Sequence, residues 1–345
     1  MTPRRLRHHA GALIHDWPRF LRAMRTHSGW TRFRNRDERL TIDEATGGAR
    51  CEWRFSSDLH LCNIAAVAAR MLLRKALDDH PIAFAGERAT NGEPRVSYVI
   101  GHRGESRLPQ LLATLATIAA QRDVAIECIV VEQSARAVLP AHLPSWVRHI
   151  HTPIASDGVP YNRSWAFNVG ADAARAPLLV LHDNDLLVPA DHARELVALH
   201  ARGPEMIEIK RFVFYFAQEA TEIVTREWRI PFEIASEKVS QNFLAGGSVA
   251  ADREAYVAIG GFDESFVGWG GEDNDFWGRA STRRAWAFGY LPIVHLWHPP
   301  QPEKIAGGLT EGQKRFYAQT EIPADERIAI LRKRRQGQMD GAVSD

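Results

Sequence analysis

Cysteine is scarce: of 345 residues only Cys51, Cys62 and Cys128 carry thiols. They show no Cys-x-x-Cys spacing, so neither a disulfide framework nor a cysteine zinc site is indicated, and a reducing cytoplasm is the expected compartment. Long apolar runs are missing too. No stretch reaches the roughly 18 residues of a membrane span, and no apolar core of signal-peptide length follows the N-terminal arginines. Any membrane contact is therefore expected to be peripheral. Nor is there an excess of one charge: the formal net charge of +1 removes the whole-protein argument for nucleic acid. The arginines are nonetheless uneven, with Arg4, Arg5, Arg7, Arg19, Arg22, Arg25, Arg32, Arg34, Arg36 and Arg39 crowded into the first forty positions. A solvated basic face is the plain reading of such a run. The sharper reading is a patch for anionic lipid or an acidic glycan carrier.

What is present is ample apolar material, 45% of residues, enough for one large α/β domain with additions or for two smaller ones. Residues 1–90 mix arginine with Trp17, Phe20, Trp30, Phe33, Trp53 and Phe55, then run into helical spacing from Leu59 to Leu77. No RNA-binding motif or zinc-finger spacing accompanies them, so docking onto the main domain is expected rather than nucleic-acid binding. The turn signal at 89–94 sets the first boundary. The expected organisation is an extension over 1–90, a main domain over 91–305 and a helical tail over 306–345.

From Arg95 the pattern becomes strand, loop, helix. Val96–Ile100 reads as a buried strand, Gly101–Arg107 as a polar loop, Leu108–Gln121 as an amphipathic helix and Ile126–Val131 as a second strand. Such alternation predicts a doubly wound, mostly parallel sheet flanked by helices, with ligands at the carboxyl ends of its strands. Arg103 and Arg107 lie at one such end and are candidates for a nucleotide diphosphate. Further on, Leu178–Leu181 leads directly into Asp183-Asn-Asp185. Two carboxylates presented at a strand end can hold a divalent metal that neutralises a diphosphate. Met206–Phe216 and Ala285–Val294 each read as one strand, Phe243–Val249 as another, and residues 217–241 as a polar segment that orders on binding. His295 and His298, after the last strand, are candidate metal ligands.

The densest signal is Gly260–Arg279. Five glycines in the twelve residues 260–271 allow tight turns, Phe266 and Trp269 offer flat apolar surfaces, and Glu272, Asp273 and Asp275 offer carboxylates. Acidic residues before Phe276 also mark a helix start. The combination suits a polyhydroxylated ligand beside a general base.

Four motifs in this order, Asn162–Gly170, Asp183-Asn-Asp185, Gly246-Gly-Ser248 and Gly261-Phe-Asp-Glu with Gly268–Asp275, resemble the glycosyltransferases of the GT-A fold. The resemblance is to the β-1,4-galactosyltransferase group and related bacterial enzymes of the family 2 type, and it covers roughly residues 95 to 300. It implies a metal-dependent, inverting transfer from a nucleotide sugar, UDP in most such enzymes, to a glycan or glycolipid acceptor. The metal it implies is manganese, with magnesium as the alternative. By the same resemblance Asp273 is the base and Glu272 binds a sugar, while Asp185, His298 and His295 are metal ligands, His295 replacing a methionine. Arg103, Arg107, Asn162, Arg163, Asp183 and Gly247 fall on the donor side, and Trp269, Gly270 and Gly271 on the acceptor side. Asn274 replaces an aspartate common there.

Two other readings compete. A nucleotidyltransferase on the same sheet would want metal and carboxylates, but also a lysine-containing phosphate loop, and Gly101–Arg107 has no lysine. A non-catalytic glycan-binding relative would not need Asp183, Asp185 and Asp273 intact.

Overall fold

The structure is a computed structural model, described here over residues 9–52, 57–89, 92–241, 246–300 and 307–341. Arg4, Arg5 and Arg7 of the basic run, Trp53 and Phe55, and Phe243–Ala245 at the start of an expected strand lie outside the described residues. Along the chain, β1 (Leu40–Ile42) and β2 (Ala49–Cys51) form a hairpin, and β3 (Ser57–Asp58) follows. Then come β4 (Val96–His102), β5 (Ile126–Ser134), β6 (Val147–Pro153), β7 (Leu178–His182) and β8 (Leu186–Leu187). The last strands are β9 (Met206–Ile207), β10 (Lys210–Tyr215), β11 (Lys238–Gln241), β12 (Ser248–Asp252), β13 (Ala285–Trp286) and β14 (Leu291–His295).

The main sheet has seven strands in the order β13-β9-β12-β7-β4-β5-β6. Only β12 runs against the rest, being antiparallel to both of its neighbours, β7 and β9. This is the α/β, mostly parallel sheet expected from the sequence, and it is consistent with a GT-A-like α/β fold. Its central strands read as unbroken apolar runs because both faces are covered, and β5 is buried at every position. On one face Val99, Ile129 and Leu181 pack with Phe167, Tyr256, Phe262, Phe276 and Trp277 from the helices Arg163–Ala173, Arg253–Ala258 and Glu272–Ala280 and the loop before the last. On the other, Tyr98, Ile100 and Val130 pack with Leu111, Leu115 and Ile118 of the helix Leu108–Ala119 and with Leu291 and Ile293 of the second sheet.

That second sheet, in the order β3-β11-β10-β14-β8, is the main departure from the sequence reading. Residues 206–216 are not one strand: β9 belongs to the main sheet and β10 to the second. The break is at Glu208, whose carboxylate accepts from the Lys210 backbone at 2.7 Å, a local bond that replaces ladder pairing and turns the chain. Residues 285–294 divide in the same way into β13 and β14. Here Gly289 lies so close to β10 that a Cβ would sit 2.2 Å from the Lys210 carbonyl, leaving room for no side chain. The segment 217–241, read as an ordering loop, holds the helix Gln218–Glu227 and β11.

The N-terminal aromatics among the described residues are structural. Phe20, Trp30 and Phe33 are buried with Phe212 and Phe214 of β10, and Trp30 Nε1 donates to Asp79 at 2.8 Å. The helical stretch 59–77 breaks at Ala65 into His60–Ile64 and Ala66–Asp79. The tail, read as a single surface helix, forms two, Glu311–Gln319 and Ala324–Gly341, and both pack against the helix Glu272–Ala280. No helix among the described residues is long and apolar enough to cross a membrane.

Candidate active site

The carboxyl ends of β4, β7 and β14 and the beginning of the reversed β12 meet at one end of the molecule. Chain reversal of β12 is what brings Gly246–Gly247 there: the Gly247 carbonyl accepts from Asp183 N at 2.7 Å, so the two segments are stitched side by side. Below them His182 bridges Ser248 Oγ (2.9 Å) and the Leu186 carbonyl (3.1 Å). Burial pushes its pKa down to about 4, so it is a neutral strut.

Arg163 is the hub. It begins the helix Arg163–Ala173, whose N-cap is Asn162, with the Asn162 side chain accepting from Trp165 N at 2.9 Å. Its guanidinium donates through Nε to Asp183 Oδ1 (2.8 Å) and through one terminal nitrogen to Asp273 Oδ1 (2.8 Å) and Glu272 Oε1 (3.4 Å). It also lies 4.5 Å over the Phe167 ring. Burial alone would disfavour the cation, but three carboxylates outweigh it and the Arg163 pKa rises. Glu272 is affected in the opposite sense. Burial, reinforced by the neighbouring Asp273 charge, pushes its carboxyl up to about 7 despite Arg163.

The helix Glu272–Ala280 holds these carboxylates because Gly271 takes φ +91° at its N-cap, and its first turn stabilises negative charge. Asp273 is also fixed from outside: a Cβ on Gly246 would fall 1.8 Å from Asp273 Oδ2, so only glycine leaves the carboxylate its place. Asp275 is not part of the open site. It is buried in an ion pair with Arg279 (2.8 Å) and a second with Arg327 of the tail.

Asp185 lies three residues beyond β7, immediately before β8, and is buried. Its Oδ2 is 3.4 Å from His298 Nε2 and 3.2 Å from Arg107, and its Oδ1 is 3.8 Å from His295 Nε2. One ligand atom from each of Asp185, His295 and His298 lies within 4.8 Å of the others, the one such cluster among the described residues. Two imidazoles with one carboxylate suit a first-row transition ion better than magnesium, which prefers oxygen ligands alone; zinc is favoured by the imidazoles, and manganese is compatible through the carboxylate. Burial lowers the His298 pKa, which favours the neutral, ligating form.

Not every residue singled out in the sequence faces this centre. Arg103 is taken up by Gln133, through its carbonyl (2.7 Å) and side chain (2.7 Å), and by the Val159 carbonyl. Asn162 spends its amide on the Glu264 carbonyl (2.8 Å). Trp269 is half-buried, and its carbonyl accepts from Thr310 Oγ1 at 2.8 Å, which ties the glycine loop to the tail. Gly270 and Gly271 lie against Gly312, where a Cβ would fall 1.9 Å from the Gly270 carbonyl.

With this geometry in view, one family comparison bears on the activity class. The family model described as the N-terminal domain of galactosyltransferase matches residues 229–288. The matched stretch contains Gly246–Ser248 and Gly261–Asp275. It supports a galactosyltransferase-like glycosyltransferase. No curated protein matches the chain.

Asn168, within the Asn162–Gly170 motif, has a role that its sequence position does not announce. Its amide donates to the Phe262 carbonyl (2.9 Å) and Glu264 (2.7 Å), and its oxygen accepts from Tyr256 Oη (2.6 Å) and Phe262 N (3.0 Å). With all four bonds made, it pins the loop that leads into the glycine stretch. The available signal was an amide on the apolar side of an otherwise alanine- and phenylalanine-rich helix.

Proposed function

We propose that the protein transfers a sugar from a nucleotide sugar, with UDP the favoured nucleotide, to a hydroxyl of a glycan or glycolipid, with inversion at the anomeric carbon. The transferring unit would span about residues 91–305, in a reducing compartment such as the cytoplasm that suits a chain with only three cysteines, all buried. The observation that carries this reading is the Arg163 fork, which joins the Asp183 strand end to the Glu272–Asp273 helix start and makes one site of them.

In this reading Asp273 accepts the proton of the acceptor hydroxyl. The hydroxyl oxygen bonds to the anomeric carbon as the bond from that carbon to the diphosphate oxygen breaks. A divalent cation held by Asp185, His295 and His298 would offset charge gathering on the leaving diphosphate. Arg163 supplies fixed positive charge between the Asp183 strand end and the Glu272–Asp273 helix start. Asp273→Asn is expected to lower transfer by at least about 100-fold while nucleotide affinity, read by calorimetry with UDP and manganese, stays within about twofold. Near-normal transfer by this variant would remove Asp273 from the base role. A mass screen of products from several donors, with and without manganese, gives the donor sugar.

A further inference from the structure

Away from this site, the helical segment 12–24 carries a surface that the transfer reaction does not use. Ile14, Pro18, Leu21, Arg22 and Arg25 are spaced i, i+4, i+7, i+8 and i+11 and are all exposed, so they form one continuous face. Its first part is apolar: Ile14 is 66% and Leu21 37% exposed, with Leu13 beside them at 50%. Its second part is basic and opens on a groove of about 400 Å³ lined by Arg19, Arg22, Arg32, Arg34, Thr26 and Phe33. No carboxylate is among the residues lining this groove, although buried Asp16 lies within reach of the Arg19 charge. Arg32 has a loose partner in exposed Glu44 at 3.6 Å, and Arg34 donates to the Glu38 carbonyl rather than to a charge. Burial and the nearby Arg19 cation lower the Arg34 pKa, and Glu38 offsets them only in part.

We propose that this face docks the protein on a bilayer containing anionic lipid, with phosphate headgroups in the arginine groove and Leu13, Ile14 and Leu21 in the interface. A soluble anion would account for the groove alone. The adjoining exposed leucines and isoleucine are what select a bilayer, since basic and apolar side chains on one helix face are the pattern of interfacial helices. The inference is independent of the glycosyltransferase reading.

Co-flotation of the full chain with vesicles tests it. Retention is expected on phosphatidylcholine vesicles containing phosphatidylglycerol and not on pure phosphatidylcholine, and should fall as salt rises. Arg22→Glu with Arg25→Glu is expected to weaken binding by roughly thirtyfold or more, from about 1 kcal/mol per lost basic contact. Ile14→Ser with Leu21→Ser should weaken it as well, although no charge changes. All four positions are exposed, and melting curves matching the parent establish that the variants fold. Equal retention on both vesicle types, or none on either, overturns the proposal. So does binding to soluble dextran sulfate that ignores the Ile14/Leu21 changes while vesicles are not retained, a result that would assign the groove to an acidic polysaccharide.

Discussion

Arg163 reaches Asp273 at 2.8 Å while its Nε holds Asp183 at the same distance, so one side chain spans a strand end and a helix start. Removing it leaves Asp183, Glu272 and Asp273 facing one another without a cation. Arg163→Ala is therefore expected to cost about 3 kcal/mol of stability, the usual size for breaking a buried pair, and to abolish nucleotide binding. Arg163→Lys keeps the charge but not the fork, and should recover only part of either. Urea denaturation and calorimetry read the two effects. An alanine variant as stable as the parent would mean the fork is not a structural hub.

Glu272 gives stability a pH dependence of known sign. Its carboxyl is raised in the folded state to about 7, so its favourable contribution is complete below the ordinary value of 4.5 and disappears as pH climbs through about 7. Between pH 5 and pH 8 the parent should lose roughly 2 kcal/mol more stability than Glu272→Gln. Parallel stability curves for the two proteins would contradict the shift.

Gly246→Ala tests how tightly Asp273 is seated. The new methyl carbon would overlap the carboxylate, so Asp273 must turn away from its place. Displacement of that order is expected to lower transfer by about 100-fold, with a smaller change in nucleotide affinity. Unaltered turnover would show that the position of Asp273 is not critical.

Asp185→Ala and His298→Ala should each weaken manganese binding by tenfold or more, as removal of one of three protein ligands does. Titration with manganese alone, followed calorimetrically, separates this from any effect on sugar transfer. Retained affinity in both variants would move the metal elsewhere.

The sequence made the parallel half of the main sheet readable, because β4, β5 and β7 are covered on both faces and so are apolar without interruption. The glycine stretch and Asp183-Asn-Asp185 also stood out in the sequence, since few structural needs bring such residues together, and Arg163 joins the two in space. The second sheet was not. β9 and β10 are continuous in apolar character, and what divides them is a side-chain bond from Glu208 to the Lys210 backbone, which leaves no periodic trace. The inward use of Asp275 escaped for a different reason. Arg279 stands four residues on and could have been read as its partner, but Arg327 comes from 52 positions away. Arg103 shows the converse: its position suggested a phosphate, whereas β5 and the 159–160 segment offered it carbonyls first.

The placement of Asp185 has a thermodynamic side. It stands where the chain leaves the main sheet for β8, and β8 pairs with β14 so that Leu186 lies opposite His295. The Asp185 carbonyl further accepts from Leu296 N at 2.8 Å. Carboxylate and imidazoles are thus brought together by backbone pairing before any ion arrives, and the configurational entropy of assembling them is spent in folding. A cation captured there would bind with little rearrangement, and would stabilise the seam between the two sheets by an amount that grows with its concentration relative to its dissociation constant.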